Sequence, residues 1–179
     1  MRRESAWPRA SYGRAASWWQ WTVFTELLDP PVYVVTAAAD GQRAGCLVGF
    51  ASQSSLSPVR FVVWLSKVNH TYRVARRARF LGVHLLRSDQ HELAGLFGGE
   101  TGDRVDKFAR ARWEPRGEGV PVLDDACAWF IGRVEEHADW GDHVGFCLTP
   151  VDAAAESLPR GSLLTLGDVT DLRPGHPAP

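Results

Sequence analysis

Apolar and polar positions along this chain fall into short blocks, most of them strand-sized. Residues 32–37 (VYVVTA) are β-branched and aromatic and predict a strand. Residues 44–50 are apolar enough for a buried strand, and residues 61–65 form another short run rich in Val and aromatic side chains. Between these two, residues 51–58 carry Ser, Gln and a closing proline, which predicts a loop. The Asp40-Gly41 pair predicts a hairpin turn between the first two strands. Further strands are expected at 80–86, at 126–135 paired with 143–151, and at 163–166, with a tight link over 137–142.

Three segments read as helices. Residues 17–28 carry a broad apolar stripe, with Ser17 placed to cap it and Asp29-Pro30-Pro31 to end it. Trp18, Trp19 and Trp21 are more aromatic surface than a solvent-facing helix tolerates, so it is expected to pack on the body or on a second subunit. Residues 71–79 follow Asn69 and Thr71, either of which suits an N-cap. Residues 89–97 follow Ser88 and Asp89, which offer the same choice. Residues 98–102 read as a flexible link and 114–119 as a loop. Residues 1–16 read as a flexible arm and 171–179 as a frayed tail, which leaves one domain over 17–170. There is no βαβ rhythm and no G-x-G-x-x-G after a strand. The expected class is therefore mainly β, a barrel with helices at its margins, rather than a doubly wound sheet.

Bulk properties narrow the chemistry. The formal net charge of −1 gives no general pull towards nucleic acid or acidic membranes. Lys67 and Lys107 are the only lysines, the other cations being arginines. The three cysteines, 46, 127 and 147, have no CxxC spacing, so neither a disulfide framework nor a metal site is expected. No run is long and apolar enough for a membrane span, and the N-terminus lacks a signal core, so a cytoplasmic protein is expected. Hydrolase and P-loop motifs are missing. Ser52, Ser54, Ser55 and Ser57 have no strand-to-helix elbow around them.

Two places remain for chemistry. Ser66, Lys67, Asn69 and Thr71 crowd a helix start, where hydroxyls, a cation and free N–H groups suit an anion. With the polar stretch after Gly49 one strand away, the two are suited to holding both ends of a phosphorylated ligand. His143 follows Gly141-Asp142 at a strand entrance, where a side chain can point into a cleft. The arginines at 73, 76, 77 and 79 are either a solvated face or a subsidiary phosphate contact.

The order of PPVYVVTAAADGQRAG, FASQSSLSP, SKVNHTYRVARRARFLGVHLL, QHELAGLF, DKF and VPVLDDACAWFIGRVEEHADWGDH resembles the flavin reductase-like family, the FMN-binding split barrels. The resemblance covers roughly residues 30–152, and the closing Gly141-Asp142-His143 is its most diagnostic piece. It implies a homodimeric Greek-key split barrel that binds FMN or FAD and reduces it with NADH or NADPH, with a monooxygenase as a possible recipient. It implies flavin contacts from Gly49, Phe50, Ala51, Gln53 and Ser55, and phosphate contacts from Ser66, Lys67, Asn69 and Thr71. It also places His84 and Phe108 at cofactor positions and His143 beside the flavin and nicotinamide. Leu47, Gly49, Phe50 and His84 depart from the family's usual residues, hydroxyls at the first three and Asn at the last. Related readings are a flavin carrier, store or sensor without turnover, and an oxidoreductase using the deazaflavin F420.

Overall fold

A computed structural model describes residues 18–158 and 161–175. Its strands are β1 (Tyr33–Ala39), β2 (Gln42–Val48), β3 (Ala51–Leu56), β4 (Val59–Ser66), β5 (Phe80–Leu85), β6 (Trp113–Arg116), β7 (Val120–Leu123), β8 (Ala128–Asp139) and β9 (His143–Ala155). Its α-helices are α1 (Trp18–Glu26), α2 (His70–Ala75) and α3 (His91–Gly99). Seven strands form one antiparallel sheet in the order β2-β1-β5-β8-β9-β4-β3, and β6 pairs with β7 as a separate hairpin. Strands distant in sequence thus lie side by side, as the expected Greek-key barrel requires. The β1–β2 turn falls on Asp40 and Gly41, with φ of 51° and 73°, the left-handed pair that a two-residue hairpin needs.

Alternation along the strands sorts side chains to two faces. Val35, Cys46, Val63, Leu65, Val83, Phe146 and Leu148 share the inner core, closed by Val74 and Ala75 of α2. From the other face of β1, Val34 joins Ala94 and Phe97 of α3, with Leu123 and Leu164. The β6–β7 hairpin covers the neighbouring outer surface, where Val120 and Val122 meet Ile131. Each fully buried Val, Leu or Phe contributes about 1.5–3 kcal/mol.

The structure corrects several expectations. Residues 51–56 are not a loop but β3, an edge strand that pairs only with β4. It is largely exposed, so its Ser and Gln face water and leave no apolar alternation to read. Strands β8 and β9 each run four residues beyond the expected end, and only residues 140–142 link them. The expected loop over 114–119 contains most of β6. Helix α2 is capped by the Asn69 carboxamide, which accepts from Thr71 N–H at 2.9 Å. Helix α3 begins after Gln90 rather than after Ser88 or Asp89, and Gln90 makes no side-chain cap. Its side chain is spent on Arg87 N–H and Asp125 O instead. No strand forms at 163–166, where isolated bridges join Leu163 to Arg87 and Thr165 to Pro31.

Residues 171–175, expected to fray, are docked. Leu172 packs in the α3 cluster, Asp171 meets His91 at 2.9 Å, and Gly175 N–H donates to Gly98 O. In α1 the described side chains of Val23 and Phe24 remain about half exposed. Ser17 and the arm over 1–16 lie outside the described residues.

Candidate functional site

A cavity of about 370 Å³ opens where the ends of β2 and β4 meet α3 and the C-terminal segment. Strand β2 contributes Cys46, Leu47 and Val48, and the two-residue link to β3 contributes Gly49 and Phe50. Ser66, Asn69 and His143 line one side; Phe97, Leu166 and Leu172 are among the residues on the other. Ser66 and His143 are 77 positions apart in the chain, yet the β4–β9 register makes them direct partners.

The polar groups divide sharply. Ser66 Oγ is buried and has no hydrogen-bond partner, the sole such side-chain atom among the described residues. A buried hydroxyl left unpaired costs about 1–3 kcal/mol, so this one is suited to a ligand. His143 Nδ1 lies 2.8 Å from Asp142 Oδ1, and its ring meets Phe50 edge-on with centroids 5.3 Å apart. Beside the imidazole, the Asp142 carboxyl sits below the ordinary carboxylate range, chiefly through that hydrogen bond. The Asp142 contact favours a proton on Nδ1 and leaves Nε2 for a ligand. Cys46 also lines the cavity, but burial pushes its thiol pKa up, which keeps it protonated and unreactive.

The other sequence candidates sit elsewhere. Lys67 is paired with Asp139 at 2.6 Å, and both side chains are well exposed. Thr71 is buried inside α2 with its hydroxyl against Cys46. Ala51, Gln53 and Ser55 belong to β3 and do not line the cavity; Gln53 donates to Ser55 O and borders a separate groove. His84 is fully buried, with Nδ1 2.9 Å from Val34 O and Nε2 accepting Leu123 N–H at 3.2 Å. Both ring nitrogens are therefore structural. Phe108 is buried between Phe97 and Trp113 and supports the cavity from behind. The basic run is largely neutralised: Arg73 bonds Asp103, Arg77 bonds Asp40, and Arg79 reaches Glu118.

Three contributions escaped sequence reading. Leu166, Val169, Leu172 and Pro174 build the cavity's outer wall. The apolar spacing within LLTLGDVTDL is their only signal. Lys107 is buried, and its ammonium donates to Gly45 O at 3.1 Å and Phe97 O at 2.8 Å, tying β2 to α3 behind the cavity. Burial lowers its pKa. Trp64 lines the cavity from β4.

A model described as "Flavin reductase like domain" matches residues 26–168. The FMN reductase (NADH) RutF of Variovorax paradoxus is 32% identical over 135 residues, spanning 73% of this chain and 74% of that protein. A homologue of nitrilotriacetate monooxygenase component B from Mycobacterium thermoresistibile has the same fold, with a TM-score of 0.72, 21% identity and 84% of each chain covered. The NADH:FAD oxidoreductase of Streptomyces globisporus C-1027 superposes with a TM-score of 0.71 at 21% identity, covering 78% of this chain and 83% of that one.

Proposed function

The chain belongs to the flavin reductase-like family, and on that premise we propose that it is an NAD(P)H:flavin oxidoreductase holding FMN or FAD in the 370 Å³ cavity. The observation that carries the reading is the orphaned Ser66 hydroxyl, set beside His143 in an otherwise largely apolar recess. Such a recess fits a flat aromatic ring with a polar, phosphorylated tail. A flavin held there would supply the redox chemistry, taking hydride from a reduced nicotinamide.

The chain's own groups bind, orient and exclude water. Ser66 donates its free hydroxyl to the ligand, and Asn69, fixed by its cap bond, borders the same space. Gly49 lets the β2–β3 link pass close to Leu166, since a Cβ there would lie 3.3 Å from Cδ1. Leu166, Val169 and Leu172 keep water from that side. His143, with its Nδ1 proton held by Asp142, turns an accepting Nε2 towards the ligand, where it suits the N–H of a nicotinamide carboxamide.

The same reading includes a cytoplasmic homodimer and a monooxygenase receiving reduced flavin. Among the described residues no helix is long and apolar enough to cross a membrane. An open groove of about 520 Å³ bordered by Phe61, Trp129 and Ala154 offers apolar surface for a second copy. The relative named as a monooxygenase component supports the recipient.

The test is an anaerobic absorbance titration with FMN, then NADH, then NADPH. We expect the flavin band to bind and bleach, and His143→Ala to slow bleaching more than it weakens FMN binding. Protein that does not bind FMN would overturn the assignment. Bound flavin that neither nucleotide bleaches would leave a carrier.

A further inference from the structure

Helix α1 contributes no described side chain to any of the three core clusters. Its sequence is nonetheless apolar on most sides, with only Gln20, Thr22, Thr25 and Glu26 polar. A helix of that kind is ordinarily buried. Here Val23 is 49% exposed, and in the turn that follows Leu27 is 80% exposed and Leu28 50%. Val23 and Leu27 stand four residues apart, the spacing that puts two side chains on one helical face. Apolar surface gathered in one exposed stretch marks a contact.

The residues before the helix say what the contact is. Residues 1–16 hold Arg2, Arg3, Arg9 and Arg14 against Glu4 alone, while the whole chain is net −1. Positive charge is thus gathered beside the apolar helix, and the remainder of the molecule is net negative. Tryptophan follows the same distribution: Trp7, Trp18, Trp19 and Trp21 are half of the chain's eight. Clustered arginines suit anionic headgroups, and indole suits the headgroup layer, where the ring leaves water and the N–H still finds a partner. A second copy of the chain matches less well. Its open groove beside Phe61 and Trp129 is apolar, but the charged side chain lining it is Arg60, with no carboxylate to meet the arginines.

We propose that residues 1–28 are a peripheral membrane anchor that docks the protein on an anionic bilayer, the arginines on the headgroups and α1 in the interface. The nine residues of α1 span about 14 Å at 1.5 Å each, less than half of a hydrocarbon core of roughly 30 Å, so the helix lies on the membrane rather than across it. Its exit into the barrel is short and fastened. Gly167 N–H donates to Asp29 Oδ1 at 2.8 Å, Leu166 N–H to Pro30 O at 2.9 Å, and Val32 N–H to Leu164 O at 3.0 Å. These bonds tie the anchor to the outer wall of the cavity, so docking holds the cavity close to the membrane surface. The inference stands on this surface alone and does not depend on what the cavity holds.

Co-sedimentation of the full chain with vesicles tests it, using phosphatidylcholine alone and phosphatidylcholine mixed with phosphatidylglycerol. We expect binding to the anionic vesicles only, released by raised salt. An arginine at an anionic surface is worth about fivefold in binding, so Arg2→Gln, Arg3→Gln, Arg9→Gln and Arg14→Gln combined should weaken it by more than about a hundredfold. Val23→Ser combined with Leu27→Ser should weaken it about tenfold. Sedimentation with neither vesicle, or equally with both, overturns the proposal, as does binding that neither variant weakens. A Val23→Ser, Leu27→Ser variant whose mass by light scattering falls below the parent's also overturns it, because the face is then covered by a second copy.

Discussion

Acidification gives the sharpest test of how this structure is held together. His84 sits on β5 with no exposure, its two nitrogens committed to Val34 O and Leu123 N–H. Leu123 N–H can donate only to an unprotonated Nε2, so the native ring is neutral. Burial pushes its pKa down from 6.5 to about 4, only partly opposed by the bond to Val34. The unfolded chain therefore binds a proton between pH 6.5 and 4 that the native protein refuses. Stability is fully present above pH 6.5 and is lost as pH falls through that window. The slope approaches 1.36 kcal/mol per pH unit, which integrates to roughly 3 kcal/mol. Asp103, held by Arg73 and His70, lies below the window, at about 2. The assay is urea unfolding at half-unit steps from pH 7 to 4, for the parent and for His84→Asn. We expect a flat region above 6.5, a falling limb below it in the parent, and a shallower limb in the variant. Identical pH profiles for the two proteins would refute the argument.

Two further changes probe the cavity's support. Lys107→Met removes the donor shared by Gly45 O and Phe97 O, and should cost about 1–3 kcal/mol, read as a lower urea midpoint at constant m-value. Gly82→Ala would put a Cβ inside contact distance of Thr36 Oγ1 and 3.2 Å from Pro121 O. It should therefore loosen the hairpin that the Thr36–Pro121 bond fastens, with a loss of about 1–3 kcal/mol seen as a lower Tm.

The barrel was legible where burial writes a pattern. Strands β1, β2, β4, β5 and the start of β9 alternate or run apolar because at least one face enters the core. Strand β3 was not legible, because an exposed edge imposes no such pattern on Ala51–Leu56. The far ends of β8 and β9 were missed for the same reason; their residues there are mostly exposed. At the site, a helix start marked Ser66 and Asn69, and a strand entrance marked His143. What composition could not show is which neighbours absorb a polar group. Lys67 goes to Asp139, Thr71 to Cys46, and His84 to two backbone partners. Ser66 stays unpaired only because the β4–β9 pairing seats it on a cavity. Lys107 was passed over because a lone lysine reads as surface, whereas here its stem is buried and its ammonium reaches two carbonyls.

The outer wall of the cavity has a consequence for how the protein comes into being. The seven-stranded sheet is complete at Ala155, but Leu166, Val169, Leu172 and Pro174 arrive later in the chain. A ribosome therefore releases every strand of the barrel before it releases the residues that shut the cavity. The nascent chain can form its sheet with the cavity open along one side. Closure of the cavity thus belongs to a chain that extends through Pro174, and a transcript truncated after Ala155 would yield a barrel whose cavity stays open on that side.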